Sequence, residues 1–191
     1  KATTSNIRNS VEERYFFRTT TFLANMLQSD HDFEGALRIS LDVLDKMKHS
    51  KECGPRFIAI HLSDIGICQL KLRRFDEANK SFAESFAYFD KAVAADTSYV
   101  SIENAVISCS NIVLFYLDAH RYGDAMNWGK RLDDILTVYN GLSNHSDKFY
   151  NRQYARHLNF KDRALLGLGH HDEAAKVFSD YQNSESYKDG S

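Results

Sequence analysis

The side chains in this sequence that could bind or react are its histidines, three cysteines, paired acids and a short series of arginines. His170-His171 beside Asp172-Glu173 is the densest group of metal-ligating residues. A metal needs donors that converge, as two histidines one helical turn apart do, whereas adjacent histidines on a turn diverge. His49 and Cys53 are one turn apart, but Gly54-Pro55 stops the helix directly afterwards and no second ligand pair accompanies them. Cys68 and Cys109 lie within apolar stretches and read as small buried hydrophobes, not as activated thiols. No Gly-x-Ser-x-Gly elbow is present. Gly167-Leu168-Gly169 lacks the strand and the full spacing of a phosphate loop and reads as the end of a helix. Asp133 and Asp134, adjacent on a helix, point about 100° apart and cannot flank one bond as a general acid and base, so solvation is expected for both. No catalytic residue, metal or cofactor is expected. What remains is basic: Arg152, Arg156 and Arg163, the last two on the same side of a helix. They are suited either to reading an acidic group on a partner or to pairing within the helix, for example with Asp162.

The elements that must carry these residues are helical. A single proline and nine glycines among 191 residues leave too little turn chemistry for a sheet protein. The chain repeats itself. Asp32-Phe33-Glu34-Gly35-Ala36, Phe75-Asp76-Glu77-Ala78, Tyr122-Gly123-Asp124-Ala125 and His171-Asp172-Glu173-Ala174 share a ring residue, then acids or glycine, then alanine. Each follows one apolar-periodic stretch and opens another, the pattern of a tight turn between antiparallel helices. First helices are predicted at about 11–29, 56–72, 99–119 and 147–168. Second helices are predicted at about 33–49, 75–93, 122–140 and 171–183. The acids at the turns supply carboxylates to first-turn amides. Gly54-Pro55, Asp96-Thr97-Ser98 and Asn140-Gly141 punctuate the pairs, which run over about 11–49, 56–93, 99–140 and 147–183. Lys1 to Asn9 reads as the end of an earlier helix, and Ser184 to Ser191 as a polar tail.

Composition bounds the class. A 43% hydrophobic, 26% charged chain is globular, and at this length it buries enough surface to need no staple. A net charge of -2 supplies no field for phosphate backbones or anionic lipid, so nucleic acid is not an expected partner. The longest clean apolar run, Ile112 to Leu117, is far shorter than a membrane span. Three scattered cysteines argue against a disulfide framework, which leans toward the cytoplasm over a periplasmic sensor segment without fixing the compartment. Beginning at Lys1 with no signal segment, the chain is expected to be a piece of a longer protein.

With the turn alanine as origin, Leu62, Ile65, Gly66, Phe75, Ala78 and Phe82 fall at the spacings of the tetratricopeptide repeat (TPR) family, which the sequence resembles over about 11–183. Ala24 takes the small-residue place of Gly66 in the first pair. The third pair has Tyr116, Tyr122 and Ala125 but Val113 at that place. The fourth has Leu158, Leu165, Gly169, Ala174 and Phe178 but Asp162 there. The repeats are longer than the family's usual 34 residues, and they lack both its early tryptophan and its closing proline. The long helices are similar to regulatory TPR variants of bacterial signalling proteins. The resemblance implies a single all-α domain over 1–191, a right-handed solenoid of four antiparallel helix pairs.

It further implies that the first helices line a concave face that holds a protein or peptide. Carried over by spacing, that face comprises Arg18, Thr21, Asn25 and Gln28; Ile60, Ser63, Ile67 and Lys71; Ile107, Ser110, Leu114 and Leu117; and Arg156, Asn159 and Arg163. Amide and guanidinium groups at both ends flank an apolar middle, which fits an amphipathic or extended peptide bearing negative charge. Ile67 and Leu114 stand where the family's carboxylate clamps place polar residues, so a grip on a terminal carboxylate is not expected. The alternative is a structural module whose terminal helices stack between copies.

Overall fold

The computed structural model describes the backbone of residues 2–95 and 99–184 and the side chains from residue 10 onward within them. The capping residues read at Asp96-Thr97-Ser98, and all of the polar tail except Ser184, lie outside the described residues. The described chain is all-helical: α1 Ala2–Ser29, α2 Phe33–His49, α3 Pro55–Lys71, α4 Phe75–Ala95, α5 Val100–Asp118, α6 Tyr122–Asn140, α7 Asp147–Gly167 and α8 His171–Asn183. The segment before residue 10 is not a separate helix, because α1 runs through it without a break. The helices fall into two compact units, α1–α4 and α5–α8.

The four turns are built alike. The residues after α1, α3, α5 and α7 include one left-handed residue each: His31, Arg73, His120 and Gly169, with φ of 64°, 60°, 56° and 79°. In the first turn Asp32 N donates to Leu27 O at 2.8 Å and His31 N to Gln28 O at 3.0 Å. The same two bonds recur as Arg74 to Gln69 with Arg73 to Leu70, Arg121 to Tyr116 with His120 to Leu117, and His170 to Leu165 with Gly169 to Leu166. This double closure satisfies carbonyls left over at a helix end and turns the chain. The residue that closes each turn then opens the next helix, because its carbonyl accepts from Ala36, Ala78, Ala125 or Ala174. These alanines are at most 1% exposed. The repeated alanine is therefore the first residue of each second helix to enter the core. At the first turn Asp32 adds a side-chain cap, accepting from Gly35 N at 2.9 Å. At the third turn the acid Asp124 pairs instead with Arg121 at 2.7 Å.

Between pairs, Pro55 occupies the first turn of α3 behind Gly54, and Ser146 caps α7 by accepting from Phe149 N. Gly141 follows α6 in right-handed conformation, φ −77°, so it ends that helix without the left-handed turn of the others.

In the first unit α3 packs against both α2 and α4. Gln69 meets Ser81, Gly66 meets the Phe82 ring, and Ala59 meets Ser85, so α3 and α4 run antiparallel. A Cβ at Gly66 would collide with the Phe82 ring. Phe82 is fully buried, and the glycine is what lets it lie against the α3 backbone. Phe17, Val43, Met47, Cys53, Ile58 and Leu62 form one core cluster.

In the second unit α6 contacts both α5 and α7, and α8 covers α7. α5 is 19 residues long and apolar enough, by length and composition, to cross a membrane, which the short apolar run of its sequence did not suggest. Its apolar residues Ile102, Val106, Ile112, Val113, Tyr116 and Leu117 are buried in the unit, where α6 and α7 pack against the helix. Tyr139 ties this unit together. Its hydroxyl donates to Glu103 at 2.7 Å and accepts from Ser146 N at 3.0 Å, and its ring lies 5.2 Å from that of Phe149.

Candidate functional site

The residues singled out for a partner face do not share one environment. On α1, Arg18 and Asn25 are exposed. On α3, Lys71 is exposed and Ile67 half-buried. Ser63 is 3% exposed and bonded to Ser85 Oγ at 2.8 Å, and that hydroxyl donates onward to the Ala59 carbonyl. Ser110 is fully buried and donates to Gln153 at 3.4 Å. Both serines therefore face the interior and cannot meet a partner. Their hydroxyls find partners on a neighbouring helix, Ser85 on α4 and Gln153 on α7.

Leu114, Arg156, Asn159 and Arg163 are brought onto one strip. Ser110 reaches Gln153, Arg156 Nη2 donates to Asn111 Oδ1 at 3.3 Å, and Arg163 Nη2 donates to Asp118 Oδ1 at 3.4 Å. The near-constant offset means that α5 and α7 run side by side in the same direction, with Leu114 in register with Asn159. The arginines thus pair across helices, not with Asp162 within α7. Arg156 also stacks its guanidinium 5.1 Å from the centre of the Phe160 ring. Burial, with Arg152 nearby, lowers its pKa, yet a guanidinium keeps its proton under any such shift. Arg163 is more open, and Asp118, Arg163, Leu117, His120 and Tyr122 line a shallow groove at the turn end of the strip. The strip therefore offers two guanidinium groups with unfilled donor capacity, an amide and a leucine. Sequence reasoning found the arginines by their spacing but missed Asn111 and Asp118, which become visible only once α5 and α7 are set in register.

The other reactive residues separate. His170 sits at the opening of α8, 3.3 Å from Glu173, and His49 bonds the Asp45 carbonyl within its own helix. Among the described residues no three histidines, cysteines or acids gather where a metal could bind. The cysteines are buried and free. Burial, with acids nearby, pushes the Cys53 thiol up to about 11 and the Cys68 thiol to about 12; burial also raises Cys109. None is a thiolate at neutral pH.

Asp133 departs from expectation. It is not simply solvated: His157, 2% exposed on α7, donates from Nε2 to its Oδ1 at 2.7 Å. Burial would raise this carboxyl, but the hydrogen bond and charge of His157, with Lys161, outweigh burial and hold it below the usual carboxylate range. In α3, burial alone pushes the Asp64 carboxyl up to about 7.

Comparison with known proteins returns no matching family model, no similar curated protein and no similar solved structure.

Proposed function

We propose that the chain is a helical-repeat interaction module of the TPR kind, a solenoid of helix pairs without catalytic function, which holds an acidic polypeptide and serves the regulatory or sensory part of a signalling protein. Support for the repeat reading comes from the four turns, which share one hydrogen-bond pattern, one left-handed position and one buried alanine. The observation that carries the binding reading is the strip on α5 and α7, where Arg156 and Arg163 stand two turns apart beside Leu114 and Asn159. A carboxylate can take two parallel N–H bonds from a guanidinium, and the intervening leucine suits an apolar side chain of a helical or extended peptide. The test is capture from a displayed library of acidic peptides by the wild type and by the Arg156→Glu, Arg163→Glu variant. The reading predicts enrichment by the wild type and at least tenfold less by a variant of unchanged circular dichroism. Equal enrichment by both would refute it.

A second reading, self-assembly, draws on α1. Tyr15, Phe22 and Met26 fall on one side of that helix and are 67%, 66% and 49% exposed, an apolar stripe that a second copy would cover. Light scattering over a wide concentration range tests it, and a strict monomer excludes it.

A further inference from the structure

Counted from the turn alanines, the two units use the same positions to pack the second helix of one pair against the first helix of the next, and they fill them differently. In the first unit Ala36, Leu37, Ile65 and Cys68 form a buried cluster, with Leu44 against it. The His61 ring, 2% exposed, donates from Nε2 to the Ser40 carbonyl at 2.9 Å. In the second unit Asp133 takes the place of Leu44, Lys161 that of Ile65 and Gly129 that of Ser40, while His157 takes that of His61. A cavity of about 80 Å³ remains there, lined by these four residues and walled by Val113, Met126 and Phe160. That is room for about three waters. A Cβ at Gly129 would lie 3.7 Å from His157 Cε1, so the glycine faces the ring directly. With Nε2 committed to Asp133, Nδ1 of this buried ring has no hydrogen-bond partner; His61 Nδ1 also lacks one, so it is the adjoining cavity that sets His157 apart. A buried ring nitrogen left without a partner is destabilising unless something in the cavity meets it.

We propose that this cavity binds a carboxylate on a short apolar stem. The carboxyl group meets His157 Nδ1, sharing one proton as N–H···O or O–H···N, and lies near the ammonium of Lys161, with Lys130 also at the lining. The stem packs on Val113, Met126 and Phe160. Asp133 fixes the ring with Nδ1 turned to the ligand, as a carboxylate partner does for a working histidine. The charged and titratable groups lining the site are Asp133 and Lys130 from α6 and His157 and Lys161 from α7; α5 contributes Val113. This site uses different polar groups from the α5–α7 strip, although the Phe160 ring on which Arg156 stacks also walls the cavity. The same chemistry arises from a free monocarboxylate or from a glutamate side chain of a docked chain.

The experiment titrates the protein at pH 6 with butyrate, and separately with N-acetyl-glutamate amide, following the imidazole ¹⁵N resonances of His157. The expected result is saturable binding of butyrate, with a Kd on the order of 1 mM for so small a ligand, and a shift of Nδ1 larger than that of Nε2. Lys161→Gln, a half-exposed position, is expected to weaken binding severalfold. Gly129→Phe, which fills the cavity, is expected to abolish it. Binding of the blocked glutamate in competition with butyrate assigns the carboxylate to a docked polypeptide; butyrate alone assigns it to a free ligand. If neither moves the His157 resonances of the folded wild type, the proposal is overturned, whatever the variants do.

Discussion

The two units place the same helices around the same register and use it to opposite ends. Where the first unit packs Leu37, Leu44, Ile65 and Cys68 into a closed core, the second carries Met126, Asp133, Lys161 and Ala164 around a cavity. His61 and His157 show the difference in one residue type. With a leucine one turn on, the first ring bonds a backbone carbonyl; with an aspartate there, the second bonds a carboxylate. Burial lowers the pKa of His61 against the opposing effect of that carbonyl, so this ring is held neutral and structural. The lesson is that the turn and its alanine fix the frame, and substitutions in the frame decide whether a junction between pairs is core or cavity.

The largest expected effect comes from breaking the closed side. Ile65→Ala, at a position 1% exposed, should lose about 3 kcal/mol of stability through lost burial and a residual cavity. Lys161→Ala at the equivalent place should change stability by about 0.5 kcal/mol or less. Chemical denaturation of both variants measures the contrast, and equal losses would erase it.

Next is Asp64, whose raised carboxyl sharpens the comparison because Phe160 holds its place in the second unit. Its folded pKa of about 7 lies above an unfolded value near 3.9, so the folded state holds the proton longer. Stability from this group is present below about pH 4 and is lost as pH rises to about 7. Asp64→Asn should remove that decline and stabilise the protein at pH 8 by on the order of 2 kcal/mol. A pH series of urea midpoints reads it, and an undiminished decline in the variant would assign it elsewhere.

The smallest effect concerns the turns. Arg73 holds the left-handed position that Gly169 holds in the fourth turn. Arg73→Gly should stabilise by about 1 kcal/mol and Gly169→Ala should destabilise by about as much. Thermal melts that move the same way for both would show that the two turns are not equivalent.

Much of this was legible in the sequence because the helix ends are written in local chemistry. Pro55, the turn alanines and the apolar periodicity of α2 and α4 place seven of the eight described helices within two residues of their predicted bounds, the exception being the start of α1. The start expected near residue 11 is not a helix end, because α1 already runs through it from Ala2. The residues assigned to a partner face were less legible. Ser63 and Ser110 look like surface residues by type, and only the closeness of neighbouring helices buries them. Asn111, Asp118 and Asp133 acquire roles from residues about 24 to 45 positions away, a relation that periodicity within one helix does not contain. His157 left one usable signal: it stands at the same distance before its turn alanine as His61 does.

The most direct test of the central claim is hydrogen exchange of the protein alone and in complex with the tightest acidic peptide recovered from the library. With the peptide held on the α5–α7 strip, slowed exchange is expected in α5 and α7 around Asn111 to Asp118 and Arg156 to Arg163, with the α2–α3 core unchanged. Protection that falls on α1 or α8 instead, with α5 and α7 unaffected, would contradict it.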